Sequence, residues 1–100
     1  MRESQIEKYL CERVKALGGL CWKFVSPNLR GVPDRIVVHN TWVFFVELKS
    51  PGEKPRESQM RRMQELRRNG ASTRVLDSKE AVDNFVKDLQ WNSIHTRTSL

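Results

Sequence analysis

The chain has 100 residues, 38% of them hydrophobic, and its 18 Lys and Arg against 12 Asp and Glu give a formal net charge of +6. This length fits one small domain whose core is near the lower limit for standing alone, so subunit association is expected to help. No run of roughly 18 apolar residues and no charged-then-apolar leader occurs, so the expectation is a cytoplasmic protein without a membrane span or secretory signal. The basic balance favours polyanionic partners, through phosphate neutralisation and counterion release.

Ile6, Leu10, Val14 and Leu17 recur at helical spacing from about Arg2, and Gly18-Gly19 supplies a stop, which predicts an amphipathic helix. Leu20 to Val25 reads as a strand, and Ser26-Pro27-Asn28-Leu29-Arg30-Gly31 as a loop of turn formers. Ile36 to His39 and Trp42 to Lys49 are strands joined at Asn40-Thr41, which predicts an antiparallel hairpin. Side chains alternate along a strand, so Val43, Phe45, Glu47 and Lys49 share one face and Trp42, Phe44, Val46 and Leu48 the other. Both faces are largely apolar, the pattern of a central strand covered on both sides.

Ser50 to Pro55 is a loop, with Pro55 placed in the first turn of a basic helix that runs to about Asn69 and stops at Gly70. Met60, Met63 and Leu66 form its narrow apolar stripe, leaving Arg56, Arg61, Arg62, Arg67 and Arg68 for solvent or phosphate. Gln59 reads either as a helix-start polar residue on the exposed side or, since it shares one side with Met63 and Leu66 at i, i+4 and i+7, as turned toward the sheet. Ser72 to Leu76 is a further strand. Asp77 or Ser78 caps a last helix packing through Ala81, Val82, Phe85, Val86 and Leu89. The order is αβββαβα. From Gln90 the pattern lapses and Asn92 to Leu100 reads as a loose tail, with Trp91 either a core plug or a subunit-interface contact. Cys11 and Cys21 lack CxxC spacing, and His39 and His95 are isolated, so neither a zinc site nor a disulfide framework is expected and the thiols read as buried or half-buried.

Charge interrupts the apolar strands at Asp34, Glu47 and Lys49. Uncompensated buried ions cost several kcal/mol each, so such groups point to a metal ion or a reaction. Antiparallel pairing brings Asp34, at the start of one strand, beside the end of the next, which carries Glu47. Neighbouring strands lie about 4.8 Å apart, close enough for two carboxylates to share one cation. Hydrolysing a phosphodiester needs a hard cation with oxygen ligands, which suits Mg²⁺, and the Leu48 carbonyl is a candidate third ligand. Lys49 shares the face of Glu47, where its ammonium can orient water or offset charge developing on phosphorus. The competing reading of Glu47-x-Lys49 is a weak surface salt bridge.

Gly31-Val32-Pro33-Asp34-Arg35, Val46-Glu47-Leu48-Lys49, Gln59 and Gly70 resemble the PD-(D/E)xK nuclease superfamily, and within it the VRR-Nuc group of virus-type replication and repair nucleases. The resemblance runs from about Ile6 to Phe85. It implies an α/β fold with a restriction-endonuclease-like αβββαβα core, a mixed central sheet flanked by helices, over residues 1–90, leaving 91–100 as a C-terminal tail. It further implies Asp34 and Glu47 as metal ligands and Lys49 as the catalytic lysine; the expected cation is Mg²⁺, and the sequence leaves open whether Mn²⁺ substitutes. Glu7 on the first helix would be an acidic residue reaching the metal or its waters, and Gln59 a polar residue near the active site. Glu7 also reads as a solvated residue among Glu3 and Lys8. Archaeal-type junction resolvases resemble a Gln-x-x-x-Tyr pattern where this chain has Met63, so no tyrosine role transfers.

Stand-alone members of the group, found in phages and bacteria, resemble homodimeric Holliday junction resolvases, which implies repair-type cleavage of four-way DNA junctions by a homodimer. Arg30, Arg35, Lys54 and Arg56 flank the site in sequence and are the candidate DNA backbone contacts, while Ser26 and Asn28 would line the cleft. No helix-turn-helix or finger is available to read bases, which favours recognition of DNA shape over sequence. Alternatives are a flap or fork nickase and a non-catalytic DNA-binding module of the same fold. A restriction-type enzyme would need a recognition element that is not found.

Overall fold

The structure is a computed structural model that describes residues 1–98, with side chains through Trp91. Its elements are α1 (Glu3–Ala16), β1 (Leu20–Lys23), β2 (Arg35–His39), β3 (Trp42–Leu48), α2 (Glu57–Arg68), β4 (Ser72–Leu76) and α3 (Lys79–Thr98), the expected αβββαβα order. The strands form one mixed sheet in the order β1-β2-β3-β4, antiparallel between the first two pairs and parallel between β3 and β4. A parallel pair needs a crossover, and α2 supplies it.

The apolar spacing of α1 buries Ile6, Leu10 and Val14 on one stripe. These side chains join Val37, Phe44, Val46, Leu48 and Leu76 of the sheet and Val82, Phe85, Val86 and Leu89 of α3 in the core. Phe44 meets Phe85 edge to face at 5.1 Å, in the middle of that layer. The opposite face of the sheet is covered by α2, whose Met63 is buried, and by Phe24, whose ring lies 5.6 Å from that of Phe45. Leu20, Trp22 and Val43 consequently stay exposed there, so β3 is covered on both faces only toward its C-terminal end.

Several boundaries differ from the sequence expectation. β1 ends at Lys23, although Phe24 N–H still donates to the Asp34 carbonyl at 2.9 Å. Pro55 precedes the helix instead of opening it, because Arg56 is the extended cap residue of α2. Met60 is half exposed, so the inner stripe of α2 is Gln59, Met63 and Leu66. Arg62 is half-buried and pairs with Glu65 at 2.7 Å, and Arg67, though exposed, donates from Nε to Thr73 Oγ1 at 2.7 Å. Ser78 is the cap of α3, its Oγ accepting from Ala81 N–H at 3.0 Å.

The helix also continues past Gln90 to Thr98, where a loose tail was expected, and Trp91 is 60% exposed and therefore no core plug. The last two residues of that expected tail lie outside the described ones. Among the described residues, no helix is long and apolar enough to cross a membrane.

Candidate active site

The loop after β1 is pinned onto the start of α2. Gly31 has φ +83, and a Cβ there would meet the Ser58 backbone at 2.6 Å, so only glycine permits both the turn and the approach. The chain then passes through buried Pro33 and delivers Asp34 to the head of β2. Asp34 Oδ2 accepts from Leu48 N–H at 2.9 Å, which ties it to the end of β3. A strand residue presents its N–H and C=O to the same neighbour, so the Leu48 carbonyl lies on Asp34's side. Lys49 N–H points the other way, to the Leu76 carbonyl of β4 at 3.0 Å.

Glu47 is 1% exposed and Lys49 4%. Lys49 Nζ stands 3.5 Å from Glu47 Oε2. Gln59 Nε2 donates to that same oxygen at 2.5 Å, while its Oε1 accepts from Arg56 N–H at 2.8 Å. Glu47 Oε1 is buried and has no hydrogen-bond partner among the described residues. Burial, then the neighbouring Asp34 charge, pushes the Glu47 carboxyl up to about 7 against the pull of Lys49. An orphaned, half-neutralised carboxylate beside a second carboxylate is a position that a hard cation would stabilise.

Asp34, Glu47, Leu48, Lys49 and Gln59 are therefore gathered at one end of the sheet. Glu7 is held elsewhere: its Oε2 accepts from Arg35 Nε at 2.8 Å and lies 3.5 Å from Lys23 Nζ. Arg35 points inward too, its Nη1 donating to the Cys21 carbonyl at 3.2 Å, instead of facing solvent as a phosphate contact. Arg30, Lys54 and Arg56 are exposed, as are Asn28 and the outer positions of α2, whereas Ser26 is half-buried. Sequence reasoning missed Glu53, whose Oε1 lies 3.6 Å from Lys49 Nζ at i,i+4. The signal was a carboxylate following Pro51-Gly52, where a turn closed by Glu53 N–H to the Ser50 carbonyl folds it back.

No family model matches the chain. Over 81 residues it is 48% identical to "Putative nuclease p44" of Acyrthosiphon pisum secondary endosymbiont phage 1, spanning 80% of this chain and 87% of that protein. Among solved structures it is similar to a "VRR_NUC domain", with a TM-score of 0.80 and 34% identity over 85% of this chain and 94% of that one. The chain belongs to the VRR-Nuc family.

In this VRR-Nuc domain the candidate donors are hard oxygens: the Asp34 and Glu47 carboxylates and the Leu48 carbonyl. Among the described residues no group of three or more His, Cys, Asp and Glu converges. The set fits Mg²⁺, which keeps several waters and takes one or two carboxylates, better than a cation needing a cage of side chains. It is a poor match for zinc, which takes His and Cys.

Proposed function

We propose that the chain is a divalent-metal-dependent endonuclease that hydrolyses phosphodiesters in branched DNA, most simply four-way junctions, as a homodimer. The observation carrying this reading is the buried Glu47 carboxylate, one oxygen without a partner, beside Asp34 and the Lys49 ammonium. Asp34, Glu47 and the Leu48 carbonyl would hold Mg²⁺, or Mn²⁺ in its place. Bound there, the cation supplies positive charge to a phosphate oxygen and acidifies water.

The protein's own groups do the rest. Lys49, desolvated and close to Glu47, donates hydrogen bonds to the attacking water or to the phosphate oxygens as negative charge grows on phosphorus. Gln59 fixes the rotamer of Glu47 by occupying Oε2, which leaves Oε1 to face the cation. Glu53 shares Lys49 in the absence of a phosphate, and its 54% exposed side chain is free to yield that position to DNA. Exposed Arg30, Lys54 and Arg56 border the site and would neutralise backbone phosphates. Glu7 contributes through Arg35, the residue after Asp34, rather than through a contact of its own in this cluster.

Recognition of DNA shape is favoured because the nuclease core takes up nearly all of the described residues and no second module is present among them to read base edges. Two-fold symmetry would present two sites to opposing strands of a junction. Exposed Leu20, Trp22 and Val43 on the open sheet face are apolar surface that a second copy could cover.

The test is a panel of labelled DNAs, comprising a four-way junction, flap, splayed arm, duplex and single strand, incubated with Mg²⁺, Mn²⁺ or EDTA beside Asp34→Ala, Glu47→Ala and Lys49→Ala. Metal-dependent paired cuts confined to the junction are expected, with each substitution lowering the rate at least ~100-fold and leaving junction binding in place. Cuts confined to flaps or forks would replace the resolvase assignment with a nickase. Binding of every DNA without cleavage under any divalent metal would overturn the enzyme assignment.

A further inference from the structure

Cys11 lies on α1 and Cys21 is the second residue of β1. The Gly18-Gly19 reversal folds the strand back under the helix: Gly18 takes φ +83, and a Cβ on Gly19 would meet Val14 Cγ1 at 2.9 Å. The two Sγ atoms end up facing each other at 3.0 Å, both as free thiols and both half-buried. A covalent bond between them needs an approach of only about 1 Å more. A cavity of about 270 Å³ adjoins the pair, lined by Cys11, Lys15, Gly19, Leu20, Cys21 and Trp22. Its one charged side chain, Lys15, suits a small anionic thiol or disulfide.

We propose that Cys11 and Cys21 form a reversible disulfide that staples α1 to β1, made and broken by exchange with low-molecular-weight disulfides and thiols entering this cavity. One cysteine thiolate attacks a sulfur of the small disulfide and expels the first thiolate, which takes up the cysteine's proton. The second cysteine then attacks the protein-bound sulfur, the Sγ–Sγ bond forms and a second thiol leaves. The protein loses two electrons and two protons, and the small disulfide is reduced to two thiols. Burial, then the hydrogen bond shared with Cys11, pushes the Cys21 thiol well up, so attack by Cys21 is slow at neutral pH and quickens in alkali.

The staple reaches the edge of the candidate active site without including any of its residues. The Cys21 carbonyl accepts from Arg35 Nη1, Arg35 Nε holds Glu7, and Glu7 lies one turn before Cys11 on α1. Oxidation thus ties together the helix that carries Glu7 and the strand whose Cys21 carbonyl holds Arg35, the residue after Asp34. The inference rests on the sulfur geometry alone and stands whether or not the chain cuts DNA.

The experiment equilibrates the full chain under native conditions in buffers of graded glutathione disulfide to glutathione ratio, quenches with N-ethylmaleimide, and reads intact mass and melting temperature. Expected is a monomer lighter by two hydrogens with no alkyl group, melting about 10 °C above the reduced form, as closing a ring across 10 residues implies. Dithiothreitol should reverse the shift. Cys11→Ser and Cys21→Ser should melt near the reduced parent and show no redox response. Doubly alkylated protein persisting in glutathione disulfide alone would overturn the proposal, as would glutathione adducts that never close, a covalent dimer, or a closed disulfide with unchanged melting.

Discussion

Gln59 holds Glu47 from across the fold, Nε2 to Oε2 at 2.5 Å, while its own Oε1 caps the start of α2 through Arg56 N–H. One amide thus orients the central carboxylate of β3 and closes the first turn of the helix that covers it. Gln59→Ala should therefore lose about 1–2 kcal/mol of stability and slow cleavage roughly tenfold. Urea denaturation and single-turnover kinetics read the two effects separately. An unchanged rate in a destabilised variant would reduce Gln59 to a helix cap.

The pH dependence of stability follows from Glu47. Its carboxyl titrates near 7 in the folded chain and near 4.5 when unfolded, so between those values the folded state keeps a proton that the unfolded state has lost. Stability from this group is full below about pH 4.5 and declines as pH rises through 7, by on the order of 3 kcal/mol. Melting temperature in EDTA should fall across that window, with a shallower slope in Glu47→Gln. Asp83, held below the usual carboxylate range by Tyr9 and then Arg13, loses its contribution only at lower pH, so the windows are distinct. Mg²⁺ selects the ionised carboxylate and should raise melting more at pH 8 than at pH 6.

Gly31 sets the distance between the Asp34 loop and α2. In Gly31→Ala the new methyl would strike the Ser58 backbone while the residue is also held at positive φ, a combined cost of about 3 kcal/mol. Relief comes by displacing the start of α2, which carries Gln59. Loss of stability together with a fall in cleavage below that of Gln59→Ala is expected. A variant that is destabilised but fully active would show that the site tolerates movement of α2.

The β2–β3 turn is strained at its second residue. Asn40 and Thr41 have φ 45 and 73, the geometry of a turn that prefers Asn-Gly, and a β-branched residue is costly there. Thr41→Gly should stabilise by about 1 kcal/mol and leave cleavage unchanged, since this turn lies at the far end of β3 from Glu47. Thermal melts with and without the substitution decide it.

How far the site was legible depends on how local each constraint is. Glu47 and Lys49 stood out because charge on an apolar strand is a contradiction visible within a few residues. Helical periodicity allowed Gln59 an inward or an exposed position, and the structure finds it on Glu47. The partners of Glu7 and Arg35 were not legible, because an ion pair between α1 and β2 depends on how the helix crosses the sheet. Glu53 was missed for a related reason: the fold-back of a loop is set by a turn at Gly52, not by periodicity.

By itself, the amino-acid order determined the αβββαβα succession, the hairpin, the buried stripe of α1 and the position of the charged residues, all consequences of periodicities shorter than about four residues. Tertiary structure alone decided that α2 covers only part of the sheet, that Arg35 is drawn inward to Glu7, and that Cys11 and Cys21 meet sulfur to sulfur. Those contacts join residues on different elements, and such pairings follow from the angles and depths at which helices pack on a twisted sheet, which no local pattern encodes.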